Sequence, residues 1–184
     1  RAAELGCHAV VLEKQSEDRY FCNSRISTGV SHILFQDMDT PPEQLLPLMR
    51  KMAEGVANPE LLDVFGANAG RAIKWLQKEG AKFLRVNTSR ANRNLVLAPP
   101  RRFKEGLDWE GRGGDVLLRT LEANLRRSNG ELRRGVAAKS LLIENGACTG
   151  VRVVADGAEQ DIRARTVVLA DGGFARSEEH TSEL

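Results

Sequence analysis

Apolar and polar positions follow helical spacing in two stretches of this chain. Leu45, Leu46, Leu48, Met49 and Met52 come after Thr40-Pro41-Pro42 and stop before Gly55. Leu61, Leu62, Val64, Phe65, Ala69, Ile73 and Leu76 come after Asn58-Pro59 and run to Lys78 before Gly80. Apolar residues three or four apart line one helix face; Asn caps the start, Pro fits the first helical position and Gly ends it. Both stripes predict helices whose apolar side is core. A third helix is predicted over DVLLRTLEANLRRSNG, with Asp115 as its cap or first-turn acid. Its lead-in, Glu110-Gly111-Arg112-Gly113-Gly114, is a glycine loop of the kind that can cradle an anion ahead of a helix.

Strand signals occupy the two ends. Val136 to Glu144, Ala147 to Ala155 and Ala158 to Ala164 are joined by Asn145-Gly146 and Asp156-Gly157. These pairs tolerate the positive φ angles of a two-residue hairpin turn, which predicts a three-stranded antiparallel meander. The meander leads into an apolar run, Thr166 to Ala170, expected to be a final buried strand, and then Asp171-Gly172-Gly173-Phe174. At the start, Arg1 to Leu5 reads as a helix tail, Gly6 as its stop, and Ala9 to Leu12 as a buried strand ending on Glu13. Between lie a polar loop from Gln15 to Pro42, long enough to be a ligand-contacting segment, and a stretch from Ala81 to Arg102 of short apolar runs broken by polar turns.

Composition narrows the chemistry. With 184 residues, 41% hydrophobic and 28% charged, the chain has enough apolar material for a globular core. A formal charge of +2, with the pairs Arg101-Arg102, Arg126-Arg127 and Arg133-Arg134 scattered among acids, argues against a nucleic-acid partner. Cys7, Cys22 and Cys148 are too few and too far apart for a zinc site or a disulfide framework, which fits a reducing, cytoplasmic setting. No run is apolar enough to indicate a membrane span.

The first residues carry the sharpest functional signal. A helix tail followed by a strand ending in an acid is the second half of a βαβ nucleotide-binding unit, in which that acid hydrogen-bonds ribose hydroxyls. The glycine turn and first strand of such a unit are expected upstream of Arg1. The terminal peptide RSEEHTSEL, Arg176 to Leu184, is polar, lacks periodicity and reads as a non-native read-through tail.

Taken together, VVLEK at residues 10 to 14, CNSRISTG at 22 to 29 and RTVVLADGGF at 165 to 174, in that order around the meander, resemble the flavoprotein subunits of fumarate reductases and succinate dehydrogenases, with tricarballylate and 3-oxosteroid dehydrogenase relatives. The resemblance spans residues 1 to 175. It implies an α/β fold: a partial FAD-binding, Rossmann-like domain of the glutathione-reductase type, with a parallel sheet, a helical insertion and the meander, without its first strand and capping domain. It also implies that Glu13 and Lys14 hold the adenosine ribose. Asn23, Ser24, Ser27, Thr28 and Gly29 would pass the pyrophosphate and the flavin ring, the main chain of Val136 and Ala137 would flank adenine, and Ala170, Gly172 and Gly173 would pack against FAD. Small residues and glycine suit such a loop, because bulky side chains obstruct close main-chain approach to a flavin.

Departures from the family pattern matter too. Phe21 and Cys22 stand where glycines are usual, and Asp171 stands where Thr is usual. Asn23 occupies the position of the histidine that some relatives join covalently to the flavin, so non-covalent FAD is implied. Arg25 and Arg112 read as solvated, with a positive wall near the flavin as the other reading; His8 and His32 read as structural or solvated. Metal ligands are not expected, and the family's catalytic groups fall beyond residue 175, so no catalytic residue is assigned. The expected function is an FAD-dependent oxidoreductase acting on a C–C bond of a small substrate, with its electron partner open. An amine oxidase or hydroxylase type of flavoprotein, or a non-enzymatic nucleotide-binding scaffold, are the alternatives.

Overall fold

A computed structural model describes residues 1–34, 36–38, 40–88, 91–100 and 108–172. The expected tail, Arg176 to Leu184, and the candidate Gly173 lie outside the described residues. The chain divides into two compact units, one formed by Arg1–Asn23 with Ser128–Leu184 and the other by Ser24–Arg127.

In the first unit, a 3-10 turn over Ala3–Leu5 is closed by Gly6 in the left-handed region at φ 84°. Strand β1 follows, Val10–Glu13, so that the acid is the last residue of the strand. It pairs in parallel with β5, Glu131–Arg134, in a register running from Val10 opposite Glu131 to Glu13 opposite Arg134. The meander forms as its turns dictate: β6 is Val136–Glu144, β7 Ala147–Ala155 and β8 Ala158–Arg163, in the order β6-β7-β8. Asn145 and Gly146 take φ 51° and 78°, and Asp156 and Gly157 take 51° and 77°. Two consecutive positive φ angles match the right-handed twist of the flanking strands. Val136, Val151 and Val153 form the core, with Leu12, Ala155 and Ile162 packed against it, so β1 shares the meander's apolar face.

The expected buried strand over Thr166–Ala170 is absent. These residues are irregular, and Val168 and Leu169 are 82% and 70% exposed. Among the described residues the parallel sheet consists of β1 and β5 alone. A fully apolar strand is stable only when a neighbour pairs its main chain and both faces are covered, and neither condition is met here.

The second unit opens on the short helix α1, Asn23–Ile26, whose first residue closes the first unit. Helices α2, Pro42–Ala53, and α3, Pro59–Lys78, form as their periodicity predicts. The Asn58 side chain caps α3 by accepting the N–H groups of Glu60 and Leu61, at 2.9 and 3.3 Å. Leu45 and Met49 of α2 and Ala69 of α3 enclose a core with Ile33. The helices approach closely because residue 66 is glycine: a Cβ there would lie 2.6 Å from Leu46 Cδ2. Residues 81–102, expected only as broken apolar runs, include β3, Phe83–Thr88, and β4, Ala91–Leu97. With β2, Val30–Ser31, they make an antiparallel sheet of order β2-β4-β3. Helix α4, Gly113–Arg127, ends the unit, tied to the end of α3 where Asn124 Nδ2 donates to the Glu79 carbonyl at 2.9 Å and to its carboxylate at 2.7 Å.

Candidate functional site

Glu13 stands at the carboxyl end of β1, where open parallel sheets receive their ligands. It is half-buried, and its Oε1 accepts the main-chain N–H of Gln15 at 2.8 Å. That bond orients the carboxylate and leaves the second oxygen without another partner among the described residues, as a group that accepts ribose hydroxyls requires. The next residues fold into a tight loop. Gln15 Nε2 donates to the Phe21 carbonyl at 2.8 Å, and the Phe21 N–H donates to Gln15 Oε1 at 3.0 Å. Arg134, the register partner of Glu13, lies 3.3 Å from Asp18 and places its guanidinium 5.9 Å from the Tyr20 ring centre. Lys14 is exposed.

Val136 and Ala137 begin β6 just after Arg134, so the structure brings them to the same end of the parallel pair as Glu13. Among the described residues, strand β6 is an edge strand bonded to β7 only. Alternate residues of such an edge direct N–H and C=O groups away from the ladder, the kind of donor and acceptor row that reads a planar heterocycle. Ala170 and Gly172 lie in the exposed irregular segment, Gly172 with φ 106°, and Asp171 beside them is exposed.

The remaining candidates surround α1. Asn23, Ser24 and Ser27 are exposed, while Thr28 and Gly29 are half-buried. Ser27 Oγ donates to the Ser24 carbonyl at 3.1 Å, and the Gly29 carbonyl accepts the Leu97 N–H at 3.1 Å. Gly29 has φ 66°, and a Cβ there would meet Leu97 Cβ at 2.7 Å. Only glycine fits both demands.

Two expectations are corrected here. Arg25 is not solvated: it is 1% exposed, with its Nε 3.4 Å from Asp115 Oδ1 and its guanidinium 5.8 Å from the Trp109 ring centre. Arg112 is half-buried and donates to Asp108 at 2.6 Å. Asp115 is 0% exposed and accepts the Gly111 N–H at 2.7 Å and Arg119 Nε at 3.2 Å. Burial pushes its carboxyl pKa up, but the Gly111 hydrogen bond, the Arg119 hydrogen bond and charge, and the Arg25 charge outweigh it, leaving the group below the ordinary aspartate value. The glycines before α4 are taken up by packing. A Cβ on Gly113 would lie 2.5 Å from the Leu97 carbonyl oxygen, and one on Gly114 would lie 2.4 Å from the Ser24 carbonyl oxygen. His8, on the exposed surface, bonds Glu131 at 3.2 Å. Among the described residues no cluster of His, Cys, Asp or Glu could hold a metal ion, and no helix is long and apolar enough to cross a membrane.

The family model described as FAD binding domain matches residues 1–184. The chain belongs to that family. This FAD binding domain is 26% identical over 119 residues to an NADH:fumarate oxidoreductase of Klebsiella pneumoniae (strain 342), a match over 64% of this chain and 12% of that protein. Its fold is that of a 3-ketosteroid-Δ4-(5α)-dehydrogenase from Rhodococcus jostii RHA1 in complex with 4-androstene-3,17-dione, at TM-score 0.77 and 19% identity over 99% of this chain and 44% of that one. A flavocytochrome c3 fumarate reductase in an open conformation matches at TM-score 0.74 and 18% identity, over 99% of this chain and 32% of that one. The chain thus spans less than half the length of these relatives. FAD is the cofactor against which its residues are judged, and they fit. In the first unit a strand-end carboxylate keeps an oxygen without another partner among the described residues, ahead of an edge strand; in the second, Ser24, Ser27 and Thr28 are small polar residues with hydrogen-bonding side chains.

Proposed function

We propose that this FAD binding domain is the cofactor-holding part of an oxidoreductase that reduces or oxidises a C–C bond of a small substrate. The observation that carries the reading is the family match over the whole chain, with Glu13 at the carboxyl end of a parallel strand. FAD, when bound, supplies the hydride chemistry.

The chain's own residues bind and orient. Glu13, with Lys14 beside it, accepts the ribose hydroxyls; main-chain groups of Val136 and Ala137 hold the adenine edge. Asn23, Ser24, Ser27 and Thr28 offer hydrogen bonds to the polar edge of the flavin, and Gly29 closes that run. Ala170, Gly172 and Gly173 pack against the cofactor. Asn23 has no nucleophilic ring nitrogen, which supports a non-covalent cofactor. The similarity to a fumarate oxidoreductase and the shared fold with a steroid dehydrogenase support a dehydrogenase or fumarate reductase-like activity over an amine oxidase, a hydroxylase or a non-enzymatic scaffold. The three free thiols, Cys7, Cys22 and Cys148, support a reducing compartment such as the cytoplasm.

The test is flavin binding by the protein expressed from its complete gene. It should be yellow, release free FAD on acid denaturation, and lose affinity about tenfold on Glu13→Gln, the effect of one charge-assisted hydrogen bond. A colourless protein with no measurable FAD binding defeats the reading, and flavin that stays with the denatured chain defeats its non-covalent form.

A further inference from the structure

Charged side chains are costly to bury, because two ions taken out of water recover that cost only through good geometry and full hydrogen bonding. Among the described residues the buried charged side chains are Arg25 and Asp115, and they face each other. Their location is informative. Arg25 belongs to α1, inside the run of small polar residues from Asn23 to Gly29, and it turns inward while Asn23, Ser24 and Ser27 are exposed. Asp115 belongs to the first turn of α4 and is held from three sides by the Gly111 N–H, Arg119 and Arg25.

The main chain is locked at the same place. Gly114 allows the start of α4 to press on the Ser24 and Arg25 carbonyls, where a Cβ would approach to 2.4 and 2.9 Å. At the other end of the run, the Gly29 carbonyl is bonded to β4 through the Leu97 N–H. The segment is therefore anchored at both ends, by an ion pair and by main-chain contacts that glycine alone permits.

We propose that Arg25 and Asp115 are positioning residues that hold the Asn23–Gly29 segment in its flavin-facing shape before the cofactor arrives. This inference rests on the FAD reading above. It assigns neither residue a contact with the flavin: they act through Ser24, Ser27, Thr28 and Gly29. A preformed segment spares binding the entropy of ordering it, so the ion pair contributes to the affinity of the flavin half of the cofactor and leaves the adenosine half untouched.

The experiment measures FAD and ADP affinity side by side in the protein expressed from its complete gene and stripped of flavin, for the wild type and for Asp115→Asn. Expected for the variant are a loss of FAD affinity of about tenfold or more with ADP affinity within about twofold, as follows when only the grip on the flavin half is weakened. Faster deuterium uptake in the peptide spanning residues 23 to 29, measured without FAD, and weaker quenching of bound-flavin fluorescence should accompany it. If Asp115→Asn does not fold, Arg25→Lys, which keeps the charge but shortens the reach and loses the planar fork, should give the same change in smaller degree. An unchanged ratio of FAD to ADP affinity in a folded variant overturns the proposal, as does a wild type that binds ADP as tightly as FAD. A wild type that binds neither defeats the cofactor reading itself.

Discussion

Val153 and Asp115 are both 0% exposed, one in each unit, and they fix main chain in opposite ways. Around Val153 the packing is apolar throughout: Val136, Val151 and Leu12 close over it, and the start of β6 is placed by hydrophobic contact and by its ladder with β7. Around Asp115 the packing is polar, with two guanidinium groups and a main-chain N–H converging on one carboxylate, and the start of α1 is placed by charge. Apolar burial is non-directional and tolerates small shifts, whereas an ion pair in a dry site penalises misplacement steeply. Val136 and Ala137 thus rest on the forgiving kind of support, and the Asn23–Gly29 candidates on the exacting kind.

Removing Asp115 should be the most damaging single change. Asp115→Ala leaves Arg25 buried without its carboxylate, at an expected cost of about 3–5 kcal/mol, read from urea unfolding at pH 7. The folded-state pKa of Asp115 lies below its unfolded value, so its contribution is complete above the unfolded pKa and is lost as pH falls through the folded one. The gap between wild type and variant should hold from neutral pH to about 4 and close only below it. A gap that closed between pH 8 and 6 would remove charge from the explanation.

Val153→Ala should cost less, about 2 kcal/mol for two methyl groups and the cavity they leave. That loss should be the same at pH 5 and pH 7. A pH-dependent loss would erase the distinction between the two supports. The smallest effect is expected at Arg152, whose fork meets Asp161 at 2.8 and 3.0 Å on the exposed face of the meander. Arg152→Ala should leave the unfolding midpoint unchanged within error, because exposed ion pairs are screened by water however good their geometry. A clear loss there would mean that geometry, and not burial, sets the value of charge in this protein.

Helices α2, α3 and α4 and the meander were legible because their signals are local: helical spacing, Asn58 as a cap, and Asn-Gly and Asp-Gly turns. Strand β5 was not, since Glu131-Leu132-Arg133-Arg134 has no alternation and is a strand only because β1 lies alongside it. The opposite failure occurred at Thr166–Ala170, an apolar run that looks more like a strand than β5 does yet has no partner among the described residues. Sheet membership is decided by neighbours that a single segment does not encode. In the candidate site, Glu13 was legible from its place after an apolar run. The burial of Arg25 was not, because Arg is rarely buried and nothing around Asn23–Gly29 points to an acid so far along the chain. The one available signal was Asp115 itself, directly after two glycines that clear a path for the main chain of residues 24 and 25.

The edge position of β6 bears on which substitutions its first residues tolerate. What that edge presents is main-chain N–H and C=O, which every residue except proline carries in full. Positions 136 and 137 are therefore constrained inwardly, by the core that Val136 enters, while their outward chemistry survives almost any replacement. A replacement at 137, or one at 136 that still fills the core, therefore leaves the row of donors and acceptors on that edge unchanged.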